Sequence, residues 1–255
     1  MAAASATVKR VFLELGGKSA FVLLDDGDPA LAAMVCAFAA TSHSGQGCAI
    51  TSRLVVPRAM YDDVVDQAAA MEACVEHAVA KYGALEVVVH NAFRGGRAHR
   101  LEDLDLDLWT ENSRTAAWGS YYSAQIAYPH LAAAKERGRL VLVTSPAGVE
   151  GSGGIPVYGP VKAAQRALAK SLAREWGPLG VTVNCIAPVA ETPALEYAFN
   201  ERPELKTRVE ERTALRRIGD AERDIGGVVA FLASDAGGYI TGQTVVCDGG
   251  SFMGL

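Results

Sequence analysis

The chain has 255 residues, of which 50% are hydrophobic and 21% are charged, and its formal net charge is -5. This composition is typical of a compact folded protein, and the length allows a substantial buried core. The acidic balance argues against nucleic acid as a main partner. The five cysteines lack the paired spacing of a disulfide framework or a zinc site. We therefore expect reduced thiols, no bound metal and a cytoplasmic location.

The sequence also argues against a membrane partner. Its first ten residues lack the basic-then-apolar order of a signal peptide. No apolar run approaches the roughly 18–20 residues that a membrane-spanning helix needs. We expect a protein that neither spans nor enters a bilayer.

The N-terminal region alternates between strand and helix patterns. Pro29 directly follows Asp28, which is typical of a helix start with an N-cap and a proline at the first helical position. A further helix is predicted to start near 58. The other elements predicted here are strands at 11–15, 20–24 and 52–57 and a helix at 28–42.

The remainder of the chain continues the alternation without an intervening linker. The predicted strands are 85–90, 139–144, 181–187 and 243–247, and the predicted helical segments are 103–137, 158–176 and 221–234. Short apolar strands separated by long helices indicate βαβ crossovers. We expect one α/β domain over 1–255, with a doubly wound, mainly parallel Rossmann-like sheet, helices on both faces and atypical N-terminal strands.

Candidate acid–base residues lie in the second half of the chain. Tyr158 and Lys162 are four residues apart on a predicted helix and therefore share one face. A phenol with its ordinary pKa near 10 is a poor proton carrier at neutral pH, and a nearby ammonium lowers that pKa. Ser145, at the end of the predicted strand 139–144, would supply a hydroxyl that binds the substrate oxygen.

Several segments between 71 and 255 carry a family resemblance: AVAKYGALEVVVHNA, LVLVTS, YGPVKAAQRALAKSLAREWGPLGVTVNCIAP and DIGGVVAFLASDAGGYITGQTVVCDGG. They resemble the short-chain dehydrogenase/reductase family. The resemblance implies that Tyr158 is the catalytic acid/base, that Lys162 lowers its pKa and holds the nicotinamide ribose, and that Ser145 holds the substrate oxygen. It also implies NAD or NADP as cofactor. Asn91 matches an Asn-Ala motif that mainly stabilises the sheet.

The sequence departs from that family in four places. The glycine-rich turn after the first strand is absent, and Phe93 replaces a glycine after Asn91 and Ala92. Ala116 stands where many members carry a catalytic Asn, for which Asn112 could substitute. The loop 186–194 is one residue short, so Thr192 is an uncertain match to the residue that holds the carboxamide of nicotinamide.

Residues 11–66 resemble a different family. They contain a Leu-Glu-Leu-Gly-Gly motif around Glu14 and a Gly-Gln pair before Cys48. Both motifs resemble those of aldehyde dehydrogenases. The resemblance implies that Glu14 is a general base and that Cys48 is a nucleophile. Because the segment covers only a small part of such an enzyme, we expect a packing role and a vestigial thiol site. Its strands at 20–24 and 52–57 would extend the sheet beside 85–90.

Three functions remain open. The first is an NAD(P)-dependent oxidoreductase that interconverts a small-molecule alcohol and ketone. The second is a non-catalytic or cofactor-deficient protein of the same fold, favoured by the missing glycine turn. The third is a thiol enzyme that uses Cys48 on aldehydes or esters. The apolar helices 103–137 and 158–176 match those that pair in the family, so we expect a homodimer or homotetramer.

Overall fold

The computed structural model describes residues 19–22, 51–55, 67–93, 100–104, 106–153 and 155–253. The strand predicted at 11–15 and the helix predicted at 28–42 lie outside the described residues, as do Glu14 and Cys48.

The centre of the described structure is a parallel sheet of four strands in the order β3-β4-β5-β6. These strands are β3 (Val87–His90), β4 (Arg139–Val143), β5 (Thr182–Pro188) and β6 (Thr244–Cys247). Most of β4 and β5 is buried, as expected for strands covered on both faces. The predicted strands therefore form, with ends shifted by up to two residues.

Helices cover both faces of this sheet. In chain order they are α1 (Gln67–Tyr82), α2 (Leu106–Asn112), α3 (Gly119–Ala134), α4 (Ala147–Glu150), α5 (Tyr158–Trp176), α6 (Pro193–Glu201), α7 (Pro203–Arg212) and α8 (Gly227–Ala233). Side chains of α1, α3 and α5 form one core cluster with the sheet. Val229 and Leu232 of α8 form another with Val141 and Ile186. The α/β, doubly wound prediction is confirmed.

The helix predicted over 103–137 is interrupted. A π-helical turn, Ser113–Trp118, separates α2 from α3. The hydroxyl of Thr115 donates to the carbonyl oxygen of Glu111, which satisfies one carbonyl of the preceding helix. A π turn holds one extra residue, so it changes the direction of the side chains that follow it.

The N-terminal strands form a sheet of their own. Strand β1 (Ser19–Val22) pairs in parallel with β2 (Thr51–Val55), with Ala20 opposite Arg53. Among the described residues neither strand pairs with β3. The prediction that they extend the sheet edge at 85–90 is therefore wrong. A βαβ crossover fixes the pairing of its own two strands, and it does not select the sheet edge that they join.

Candidate functional site

A hydroxyl lies just beyond the carboxyl end of the central strand β4. Thr144 and Ser145 follow the strand directly, and α4 begins at Ala147. The backbone N–H of Ala147 donates to Oγ of Ser145 at 3.2 Å. This bond holds Oγ of Ser145 in place and leaves its own proton free for another acceptor. Carboxyl ends of parallel strands are the usual place for ligands in such sheets.

The phenol of Tyr158 reaches this hydroxyl from the start of α5. Tyr158 is the first residue of the helix and is half-buried. The side chain of Ser145 lies close enough to the Tyr158 hydroxyl to act on its pKa, in the lowering direction. The two hydroxyls are therefore close enough to bind one substrate oxygen together.

Lys162 lies one helical turn after Tyr158 and is 2% exposed. Its Nζ donates to the carbonyl oxygen of Val143 at 2.9 Å, and its own carbonyl oxygen accepts from Oγ1 of Thr144 at 2.7 Å. These two bonds fix α5 against the end of β4. The ammonium and both hydroxyls are thus positioned by the most buried part of the sheet.

The pKa values at this site differ from those expected from the sequence. Burial raises the pKa of Tyr158, and the neighbouring Ser145 side chain opposes that rise without reversing it. Burial also lowers the pKa of Lys162, to about 8. The lowering of the Tyr158 pKa that the sequence predicts from Lys162 is not among the causes of the net shift. Nζ lies 5.8 Å from the centroid of the Tyr158 ring, and desolvation of the phenol dominates.

The sequence does not predict a buried series of hydrogen-bonded side chains near Lys162. Nε2 of Gln165 donates to Oγ of Ser120 at 2.7 Å, and Oγ of Ser120 lies 3.2 Å from Nδ1 of His90. Oγ of Ser120 accepts the first bond, and the tautomer of His90 decides which of the two groups donates the second. Burial, followed by the charge of Lys162, lowers the pKa of His90 to about 4. His90 is therefore neutral at physiological pH.

The packing of α3 against His90 requires a glycine. A Cβ atom at Gly119 would lie 2.8 Å from Nε2 of His90. Only the absence of a side chain lets the first turn of α3 pass this close to the imidazole. No local sequence pattern predicts the contacts among residues 90, 119, 120 and 165, because they form only when distant elements pack together.

The other predicted site residues are less closely connected. Asn91 follows β3 and is half-buried. Thr192 is exposed, and its Oγ1 accepts from the backbone N–H of Leu195 at 3.2 Å, so it caps α6. Asn112 is 2% exposed and donates to the carbonyl oxygen of Leu108 in its own helix. Ala116 is buried in a cluster with Val157 and Val161.

These residues suit the nicotinamide-ribose end of a dinucleotide. The Lys162 ammonium offers N–H donors to ribose hydroxyls, and the Ser145–Tyr158 pair can bind a carbonyl or hydroxyl oxygen beside it. One observation qualifies the fit: the ring of Phe93 covers the ammonium at 4.6 Å from its centroid. The donor set suits the ribose in its chemistry, and the ring covers the approach to Nζ in this structure.

Metal-binding clusters and membrane-spanning helices are absent from the described ranges. No group of three or more His, Cys, Asp or Glu side chains there could hold a metal ion. No helix in the same ranges has both the length and the apolar character to cross a membrane.

Comparison with known proteins gives a family match over residues 32–251, to the family described as enoyl-(acyl carrier protein) reductase. The match therefore begins inside the segment 11–66. The chain is 35% identical to tropinone reductase-like 3 of Erythroxylum coca, over 69% of this chain and 67% of that protein. It is 38% identical to a tropinone reductase homologue of Arabidopsis thaliana, over 51% of this chain. That alignment spans only 48% of the plant protein, or about half its length.

Solved structures share the fold over nearly the whole chain. A short-chain dehydrogenase/reductase from Brucella melitensis, described as glucose/ribitol dehydrogenase, covers 95% of this chain and all of its own length. Its TM-score is 0.67 at 24% identity, which shows the fold alone. A ribose-5-phosphate isomerase from Brucella melitensis 16M has a TM-score of 0.69 at 28% identity. The two chains align over 94% of this one and 95% of the other.

Proposed function

The chain belongs to the short-chain dehydrogenase/reductase family, and on that premise we propose that it is an NAD(P)-dependent oxidoreductase that interconverts an alcohol and a ketone. The observation that carries the proposal is the proximity of the Ser145 side chain to the Tyr158 phenol, beside the buried Lys162. Two hydroxyls and an ammonium at the carboxyl end of a parallel sheet are the groups that carbonyl reduction requires.

The proposed mechanism assigns one role to each side chain. When bound, the nicotinamide supplies or accepts the hydride. In reduction, the phenol of Tyr158 donates its proton to the substrate oxygen, and Ser145 holds that oxygen by a hydrogen bond. In oxidation, the Tyr158 phenolate takes the proton of the alcohol. Ser145 can then donate to the phenolate, which is consistent with the direction of its effect on the Tyr158 pKa.

The cofactor-binding residues are part of the same proposal. Lys162 would hold the ribose hydroxyls, and Tyr158 would contact the same ribose. Thr192 would reach the carboxamide only if its hydroxyl gave up the cap of α6. Asn91 would contribute by stabilising the end of β3, which also positions His90 and Phe93.

An assay of ketone reduction tests this function. NADH or NADPH oxidation would be followed with cyclohexanone and ethyl acetoacetate as probes, in the parent and in Tyr158→Phe. Loss of a positioned general acid should lower kcat by about 10²–10⁴-fold. Tyr239→Phe is the matched control, because Tyr239 is entirely exposed. Equal loss in both variants, or none in Tyr158→Phe, would refute the assigned role of Tyr158.

Family membership also supports proposals for the domain organisation, the location and the oligomeric state. A single domain over residues 1–255, a cytoplasmic location and a homodimer or homotetramer all accord with it. The oligomer has a specific observation in its favour. Tyr121, Tyr128, Leu168 and Leu172 line an apolar groove of about 270 Å³ on the outer side of α3 and α5.

The two alternatives differ in their support. A cofactor-deficient protein of this fold is favoured by the absent glycine turn and by the ring that covers Lys162. A thiol enzyme rests on Glu14 and Cys48 and on the resemblance of 11–66 to aldehyde dehydrogenases. We propose that this segment is structural and that its thiol chemistry is vestigial.

A further inference from the structure

One aromatic side chain contacts both charged and polar groups of the proposed site. The Lys162 Nζ lies 4.6 Å from the centroid of the Phe93 ring. The same ring meets Tyr158 edge-on, with centroids 5.1 Å apart and an angle of 62° between the planes. Phe93 therefore packs on the two residues that the proposed reaction requires to be accessible.

Lys162 cannot meet a ligand in this conformation. The carbonyl oxygen of Val143 takes one of its three N–H groups, and the face of the Phe93 ring covers another side of the ammonium. The whole residue is only 2% exposed. A hydroxyl that approaches from solvent can reach Nζ only if a neighbour moves.

The neighbours of Lys162 differ in their freedom to move. Val143 belongs to β4, which is hydrogen-bonded to strands on both sides. Tyr158 belongs to α5, which is tied to β4 through Thr144. Phe93 lies outside any helix or strand, three residues beyond the end of β3, and is half-buried. Rotation of its side chain breaks no backbone hydrogen bond of the sheet.

We propose that Phe93 is a gating side chain: its ring closes over Lys162 and Tyr158, and it turns away to admit a ligand with adjacent hydroxyl groups. Only the identity of that ligand, a nicotinamide ribose, rests on the proposed function. A cation–π contact of this kind biases the side chain toward the closed position by about 2- to 30-fold. The apparent affinity of the ligand falls in proportion to the open fraction.

The gate is tested by the chemical accessibility of Lys162, without any cofactor. Reductive methylation with formaldehyde would be followed by mass spectrometry in the parent, in Phe93→Ala and in Phe93→Leu. Lys170 lies on the same helix and is exposed, so its rate is the internal control. We expect Lys162 to react at least ten times faster in Phe93→Ala, with the rate of Lys170 unchanged.

General loosening of the core must be separated from opening of the gate. Cys185 is buried, with 0% exposure, and should remain unreactive to a thiol reagent in each variant. Phe93 also packs on the cluster around Ala116, Val157 and Val161, so its truncation to Ala could prevent folding. Phe93→Leu keeps most of that apolar volume and removes the ring, and a several-fold increase at Lys162 alone supports the gate. Unchanged labelling of Lys162 in a folded variant overturns it.

The identity of the ligand is tested separately by NADH and NADPH binding. If the proposed function is right, Phe93→Ala lowers the Kd relative to the parent, measured by cofactor fluorescence. If labelling of Lys162 increases but neither protein binds a dinucleotide, the gate stands and the proposed function fails. If labelling is unchanged, the gate fails, whatever the cofactor affinity.

Discussion

Nζ of Lys162 donates a hydrogen bond to the carbonyl oxygen of Val143 at 2.9 Å, which joins the face of α5 that carries Tyr158 and Lys162 to the last residue of β4. The bond places the ammonium next to the buried sheet, where its pKa falls to about 8 because of desolvation. The phenol of Tyr158 has the opposite shift, to a higher pKa, for the same reason. Burial therefore favours the neutral form of both groups.

The raised pKa of Tyr158 predicts opposite pH profiles for the two directions of reaction. Reduction needs the phenol, so its rate should stay level through neutral pH and fall only in the alkaline range. Oxidation needs the phenolate, so its rate should continue to rise as the pH exceeds 8. Initial rates in both directions between pH 6 and 10 measure this. An oxidation rate that levels off below pH 7 would show that the phenol is not buried as described.

The pKa of His90 predicts a pH-dependent stability. The unfolded chain binds a proton at this imidazole below about 6.5, whereas the folded chain resists protonation until about 4. The unfolded state therefore holds more protons in this window, and the contribution of His90 to stability is full above pH 6.5 and is lost as the pH falls to 4. The loss should be about 3 kcal/mol.

Urea unfolding of the parent and of His90→Asn at pH 7, 5.5 and 4 measures this loss. As the pH falls, the free energy of unfolding of the parent should decrease more steeply than that of His90→Asn. His77→Asn, at an exposed position on α1, is the control for removal of an imidazole that is not buried. A parallel pH dependence in the parent and His90→Asn would mean that His90 is not buried as a neutral group.

The apolar groove on α3 and α5 predicts self-association. Tyr121 is 51% exposed there, beside Tyr128 and Leu172. Exposed aromatic surface of this kind marks interfaces more often than free surface. Light scattering at micromolar concentration should give a dimer or tetramer, and Tyr121→Lys should shift the mass toward the monomer. Tyr197→Lys, on the exposed face of α6, should not. A monomeric parent protein would contradict this interface.

The segment 11–66 is predicted to contribute no catalysis. A thiol nucleophile needs donors for its oxyanion, and one such donor is worth about 2.7–4 kcal/mol. Cys48→Ser and Glu14→Gln, made separately, should leave oxidoreductase activity and melting temperature unchanged. Aldehyde oxidation or ester hydrolysis that is present in the parent and vanishes in Cys48→Ser would establish the thiol enzyme instead.

The features that the sequence predicted best are the bounds of helices and strands, which local patterns control. The helix predicted at 158–176 has the bounds of α5, because its apolar periodicity and the residues on either side are local signals. The strands β3 to β6 were placed within two residues for the same reason. The π turn after Asn112 was missed, since one inserted residue barely alters an apolar pattern.

Contacts between elements that are distant in the chain could not be predicted from the sequence. Ser120 accepts from Gln165 and shares a second hydrogen bond with His90, across three elements that only the packed fold brings together. The sequence identified Phe93 as a departure from the family, but not the contact of its ring with Lys162. The spacing of Tyr158 and Lys162 also does not reveal the burial of the phenol, which raises its pKa.

Titration of the protein with NADH and NADPH tests the central claim most directly. Cofactor fluorescence gives the Kd, and urea unfolding gives the linked stability. The account predicts saturable binding, with stabilisation of about 2.7 kcal/mol at 100 times the Kd, and a weaker effect in Lys162→Met. If millimolar NADH and NADPH change neither signal, in the parent or in Phe93→Ala, this chain is not an NAD(P)-dependent oxidoreductase.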